Sequence, residues 1–321
     1  MQDNDGLKRP MREPVAEFNP GFDPRYLAAK KTIDDRALNR HVWQTLVTEL
    51  TKIAARRPLH ILEIGAGIGT MFERVIDQGL LSGRVTYVAS DNDPIQVAAA
   101  KGYISRWAQR QNHSLSWSAK YQGYLQTGTA DVSLIIQHAS IEELAAQTRP
   151  QKNFSLLIAH AVLDLIDFEL LLPGLFSNLI DDGMAYLTCN FDGETTFLPE
   201  FNGDEVIINH YHASMEKRVA GASRTGRRLL TFLQSAGLDI LAAGSSDWII
   251  KPQDRSYSAD EFFFLHAILA MVERELSTVH PRLPGLSGWV DRRRLQVALG
   301  ELSLRARHTD VLVRYGPLGN G

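Results

Sequence analysis

From Leu59 onward, short apolar runs alternate with stretches of helical periodicity. That alternation narrows the possible folds more than any other feature. Residues 59–65 (LHILEIG), 84–91 (RVTYVASD), 131–139 (DVSLIIQHA), 154–161 (FSLLIAHA) and 184–190 (MAYLTCN) each have the pattern of a buried strand. Between them, residues 70–81, 94–111, 141–147 and 168–180 have the pattern of helices. The second opens on proline in its first turn, and the last is closed by the expected turn Asp181-Asp182-Gly183. Strands joined through helices run parallel, and their sheet is covered on both faces.

The flanks are less regular. Residues 1–24 contain Pro10, Pro14, Pro20 and Pro24 and predict a loop or arm. Residues 25–56 predict an amphipathic helix with room for one break, ending before Pro58. Residues 111–130 suit an extra hairpin, and residues 191–222 form a long insertion after the fifth strand. A helix over 226–237, a sixth strand over 239–250, a Ser-x-x-Glu helix start at Ser258 and a closing strand over 309–316 complete the pass. The expected units are an arm and helix (1–57), a core (58–251), a helical insertion (252–305) and the last core strand with a tail (306–321).

Composition narrows the function. Lys plus Arg number 34 against 37 Asp plus Glu, without the basic excess of a nucleic-acid binder. The single cysteine, Cys189, allows neither an internal disulfide nor a thiolate metal cluster. The first residues are polar, and the greasy stretch 156–176 is broken by His160, Asp164, Asp167 and Glu169. The expectation is a cytoplasmic protein without a membrane partner.

The chemistry concentrates at LEIGAGIGT, residues 62–70. In an open α/β sheet, ligands bind beyond the carboxyl ends of the strands. Glycines there let a ligand approach the backbone. Asp91 ends the second strand, 22 positions after Gly69, where an acid can accept both hydroxyls of a ribose. Either a nicotinamide dinucleotide or S-adenosylmethionine satisfies that much. Glu63 separates them. A carboxylate just before the first glycine repels a pyrophosphate and attracts the ammonium of a methionine.

With these residues in place the chain resembles the class I S-adenosylmethionine-dependent methyltransferases. The resemblance rests on LEIGAGIGT (62–70), YVASDNDP (87–94) and LLIAHAVLDLID (156–167), and covers roughly residues 58–250 plus the closing strand. It implies a Rossmann-like, seven-stranded, mostly parallel sheet with helices on both faces. The last strand would be inserted antiparallel between the fifth and sixth. It also implies roles. Glu63 would face the methionine ammonium, with Gly65, Ala66, Gly67 and Gly69 along the backbone. Asp91 would take the ribose hydroxyls and Asn92 would lie beside the adenine. The acid usual after the third strand is missing, leaving His138 or the Ala139–Ser140 backbone in its place. His160 and Ala161 would lie near the methyl group. One of Arg25, Lys30, Arg36 and Arg40 would meet the methionine carboxylate.

The expected activity is methyl transfer to oxygen or nitrogen of a small molecule, with S-adenosylmethionine as cofactor. His210, Tyr211 and His212 in the long insertion are the candidates for acceptor chemistry. His210 and His212 could share a strand face, but no third ligand is evident and no metal is expected. Trp248 could cap an acceptor pocket, the 258–276 helix serves as core plus lid, and the arginine runs at 224–228 and 292–294 suit a solvated face. Neither an Asn/Asp-Pro-Pro-Tyr/Phe run nor a Pro-Cys pair occurs, so two nucleic-acid methylation mechanisms lack their residues. An NAD-dependent oxidoreductase, or an inactive binding protein with the same fold, is the alternative.

Overall fold

The computed structural model describes residues 23–146, 152–219 and 221–316. The proline-rich arm, up to residue 22, lies outside the described residues, as do Gln147 and the tail beyond residue 316. The chain enters through α1 (Pro24–Ala37) and α2 (Arg40–Ala54), so the break in the first helical stretch falls at Leu38-Asn39. The Asp23 side chain caps α1 ahead of Pro24, and the Asn39 side chain accepts from the amides of His41 and Val42 to start α2.

The alternation follows as β1 (Leu59–Ile64), α3 (Thr70–Asp77), β2 (Gly83–Asp91), α4 (Pro94–Arg110), the hairpin β3 (Ser114–Ala119) and β4 (Gln122–Gln126), then β5 (Ala130–His138). Next come α5 (Ile141–Ala145), β6 (Phe154–His160), α6 (Phe168–Phe176) and β7 (Leu179–Leu198). The last part holds α7 (Asp204–Arg218), α8 (Thr225–Ser235), β8 (Asp239–Ser245), β9 (Trp248–Ile250), α9 (Ala259–Val279), α10 (Leu286–Leu299) and β10 (Ser303–Arg314).

These strands form one sheet in the order β3-β4-β5-β2-β1-β6-β7-β10-β8, with β9 also paired to β10. From β5 to β7 neighbours run parallel, and β10 lies antiparallel between β7 and β8. This is the strand order that the resemblance implied. The sheet gains its extra strands from the hairpin, which is present as expected, and from a division of the sixth strand. That strand breaks at Ser246-Asp247 because the Ser246 hydroxyl turns to donate to buried Asp310 (2.5 Å) and Asp247 pairs with Arg305 (2.7 Å).

β7 is much longer than MAYLTCN. It begins before the expected Asp181-Asp182-Gly183 turn, which is instead a kink inside the strand with Asp182 at φ 69°. It also runs on through the first residues of the expected insertion. Its polar stretch is held as strand by β10, whose Arg305 and Arg307 reach Glu194 at 3.7 and 3.1 Å. The rest of the insertion includes α7.

Two apolar layers sandwich the sheet. Val42, Leu46, Phe72 and Trp107 pack on one face, and Phe168, Leu172 and Leu229 on the other. A third cluster lies beyond the sheet, where Phe197 and Leu304 meet Tyr26 of α1, Ile207 of α7, Phe264 of α9 and Trp289 of α10. The capping box expected at Ser258 is formed with Glu261 and starts α9. Of the arginine run in α10, Arg292 is exposed and Arg294 part-exposed, as on the solvated face expected, but Arg293 is not. Arg293 is fully buried and grips both carboxylate oxygens of Asp204 at 2.5 Å, fixing α10 to the start of α7. No helix among the described residues is long and apolar enough to cross a membrane.

Candidate active site

The strand–glycine–helix unit places three glycines in the left-handed region, with φ 63° at Gly65, 55° at Gly67 and 89° at Gly69. The Gly67 amide donates to Asp91 Oδ2 at 2.7 Å, which ties the loop to the end of β2. A methyl group at Gly67 would lie 2.7 Å from Leu27 of α1, and one at Gly65 would lie 2.7 Å from Val162. Gly67→Ala is therefore expected to cost roughly 1–2 kcal/mol of stability from backbone conformation alone. Urea unfolding of the variant against the parent chain checks this.

Beside the loop lies a cavity of about 230 Å³. Glu63, Gly65, Ala66, Gly67, Asp91 and Asn92 line it from the sheet, and His160 and Ala161 from the end of β6. Gly69 does not line it; it starts α3 behind it. His138 and Ala139 do not line it either. The His138 ring donates through Nε2 to the Asn92 carbonyl at 3.0 Å, and the Ala139 amide donates to the Asp91 carbonyl at 3.1 Å. The capping box at Ser140 starts α5 immediately, so Ile141 and Glu142 reach the cavity instead.

Glu63 is 2% exposed, and its Oε2 accepts from the Tyr87 hydroxyl at 2.7 Å. Burial pushes its carboxyl up to about 8, against the pull of Tyr87 and of Arg74. Asp91 is also raised, mainly by burial, and its oxygens take the amides of Gly67 and Asp93.

The fourth wall comes from α1, which supplies Tyr26, Leu27, Lys30 and Asp34. Of the four basic residues expected near here, Lys30 reaches the cavity. Arg25 and Arg36 turn to Asp260 and Glu261 on α9, and Arg40 lines neither cavity. Lys30 Nζ lies 2.5 Å from Asp34 Oδ2, and the same oxygen accepts from His160 Nε2 at 3.0 Å. Trp248 donates to Asp34 Oδ1 at 2.9 Å. Asp34 pays the desolvation of burial, yet Lys30 and His160 hold its carboxyl well below the usual range. His160 is pushed down to about 4, chiefly by burial, so it is neutral and its Nδ1 accepts from the Thr188 hydroxyl at 2.9 Å. Asp34, His160 and Cys189 stand close enough to hold a metal ion. Lys30 and Trp248 already occupy both oxygens of Asp34, however, and the Lys30 ammonium supplies the positive charge.

A second, larger cavity of about 350 Å³ adjoins the first and shares Tyr26, Lys30, Ala161 and Leu165 with it. Its lining is mostly apolar and aromatic, with Tyr211, Trp248 and side chains of α9 in the wall. His210 and His212 line neither cavity. They stand on a helix, not a strand, and at spacing two their side chains leave it on opposite sides. His210 Nδ1 donates to the Val206 carbonyl at 2.7 Å, and His212 Nε2 shares a hydrogen bond with Thr195 at 3.1 Å.

No protein-family model matches the chain, and no curated protein does. Solved structures are similar to it. A candidate methyltransferase from Bacillus halodurans C-125 is 14% identical, over 84% of this chain and 98% of that one, with a TM-score of 0.45. Phosphoethanolamine N-methyltransferase 2 from Haemonchus contortus, in complex with phosphomonomethylethanolamine and S-adenosylhomocysteine, is 11% identical over 90% of this chain and 57% of that one, with a TM-score of 0.42. The YjhP protein of E. coli is 12% identical over 91% and 99%, with a TM-score of 0.42.

Proposed function

We propose that this chain transfers a methyl group from S-adenosylmethionine to oxygen or nitrogen of a small molecule. The observation that carries the reading is the buried Glu63 carboxyl, set beside a glycine loop that borders a cavity of about 230 Å³. A site with that floor suits a ligand that brings an ammonium group and lies against backbone. Glu63 would hold the ammonium, and Asp91 would use its remaining lone pairs for the ribose hydroxyls. Asn92 and Glu142 lie where the adenine edge would rest. Lys30 keeps donor capacity beyond Asp34 and would meet the carboxylate.

When bound, S-adenosylmethionine supplies an electrophilic methyl group on a sulfonium. The protein's part is to hold the acceptor in line with it and keep water out. The second chamber, joined to the first through Tyr26 and Lys30, suits the acceptor. Tyr211 is the one of the three proposed acceptor residues that faces it; His210 and His212 would act only through the wall.

Calorimetric titration with S-adenosylmethionine, S-adenosylhomocysteine and NAD tests the reading. Binding of the first two without NAD supports it. Binding of NAD alone would mean an oxidoreductase, and binding of none would sink the proposal. The same titration carries a second prediction. With its carboxyl raised to about 8, Glu63 is mostly protonated at pH 7, whereas an ammonium partner requires the carboxylate. Binding at pH 7 should therefore release close to one proton, and affinity should rise with pH up to about 8. Titrations in buffers of different ionisation enthalpy count the proton. Glu63→Gln should abolish its release; release that persists in this variant removes Glu63 from the ligand.

A further inference from the structure

The larger chamber contains one nitrogen that the fold orients and leaves unused. His308 sits on β10 between two irregularities in its pairing with β7, at Ala306/His308 and at Thr309/Val311. Bulges re-aim side chains, and this one lines the chamber. The ring is held on several sides. Nδ1 lies 3.0 Å from the Ala306 carbonyl, which can only accept, so Nδ1 carries the proton. Trp248 lies tilted against the ring at 4.3 Å between centroids, and Phe191 meets it edge-on at 5.7 Å.

Nε2 is then the lone-pair nitrogen, and it has no hydrogen-bond partner among the described residues. Burial, and after it the charge of Lys30, holds the imidazole down to about 4, against the opposite pull of Asp34, Ala306 and Asp247. The ring is an uncharged acceptor through the neutral range. It also lies toward the cofactor side of the chamber. Its neighbour Trp248 has Lys30 Nζ 5.0 Å from its ring centroid, and Lys30 lines both cavities.

We infer that His308 Nε2 receives the hydroxyl of the methyl acceptor, and that this acceptor is a flat, apolar alcohol of the phenol or naphthol class. The inference rests on the methyl-transfer reading of the chamber. Tyr26, Phe197, Tyr211 and Trp248 give aromatic walls suited to a ring. Lys30, Arg218 and Arg274 outnumber the lining carboxyls Asp164 and Glu275 and disfavour a protonated amine there. A lone pair that can accept and not donate distinguishes an alcohol from its methyl ether. His308 thus binds the substrate hydroxyl directly: as the oxygen takes the methyl carbon, the carbon–sulfur bond breaks to leave a neutral thioether, the hydroxyl proton passes through Nε2 to solvent, and methylation removes the bond that held the substrate.

The test compares 2-naphthol with 2-methoxynaphthalene, titrated into the full chain without cofactor. Roughly tenfold tighter binding of the naphthol is expected, the scale of one hydrogen bond plus an unsatisfied partner. In a chain labelled with 15N-histidine, the His308 Nε2 resonance, assigned by its absence in His308→Phe, should shift with naphthol and not with the ether. His308→Phe should abolish the preference, and His308→Gln, which returns an acceptor near Nε2, should restore part of it. Equal binding of both probes, or of neither, overturns the inference. So does a preference that survives His308→Phe, which would move the contact to Asp164 or Tyr211. The S-adenosylmethionine titration judges the methyl-transfer reading separately. Cofactor binding without naphthol preference would overturn the role of His308 alone, whereas naphthol preference without cofactor binding would support the hydroxyl site and remove methyl transfer.

Discussion

Asp34→Ala is expected to lower the stability of the fold by roughly 3–5 kcal/mol, the cost of stranding a buried charge. Asp34 is 2% exposed and accepts from Lys30, His160 and Trp248, which come from three separate parts of the chain. Removing it leaves the Lys30 ammonium, itself 7% exposed, without its counter-charge. Replacing both partners with apolar residues of similar size, as in Lys30→Met with Asp34→Leu, should recover most of the loss. Denaturant unfolding of the two single variants and the double variant measures the coupling, and additive losses would mean the pair does not act as a unit. The pH dependence has a fixed sign. Because the Asp34 carboxyl is depressed in the folded chain, its contribution is present above the ordinary aspartate range and is lost as pH falls below it.

Asp91→Ala should weaken S-adenosylmethionine binding by roughly 1.5–3 kcal/mol, which is about ten- to more than a hundredfold in Kd. Charge-assisted bonds to the ribose account for part of this. The rest comes from the loop, because Asp91 holds the Gly67 amide at 2.7 Å and the Asp93 amide at 2.8 Å. Asp91→Asn keeps the shape and one acceptor, and should fall between the two. Calorimetry on all three chains decides, and unchanged affinity in the alanine variant would remove Asp91 from the site.

That Glu63, three of the loop residues and Asp91 gather around one cavity was legible in the sequence because their signals are local. Glu63 and the glycines lie within seven residues, and Asp91 ends the next strand. The same locality explains the hairpin and the break between α1 and α2. What could not be read depends on tertiary pairing. Asp34 and His160 are 126 positions apart, and Asp34 and Trp248 are 214 apart. No periodicity in α1 marks two of its polar residues as buried.

His308 was missed for a related reason. It looks like an ordinary strand residue until the register shifts on β10 turn it into the chamber. His210 and His212 drew attention as a polar, aromatic cluster in an apparent loop. Helical geometry sends both away from the cavities and leaves only Tyr211 facing one. The length of β7 was hidden by Glu194, Thr195 and Thr196, polar residues whose partners on β10 lie more than a hundred positions away, and by Asp192, which pairs with Arg227 of α8.

α1 contributes Tyr26 and Lys30 to both chambers at once. A ligand that steadies this helix from one side would therefore also bias the geometry of the other side. Linkage makes the effect reciprocal: any factor by which a bound acceptor tightens the cofactor is the factor by which the cofactor tightens the acceptor. One helix, shared by two neighbouring walls, would be the element through which such coupling acts.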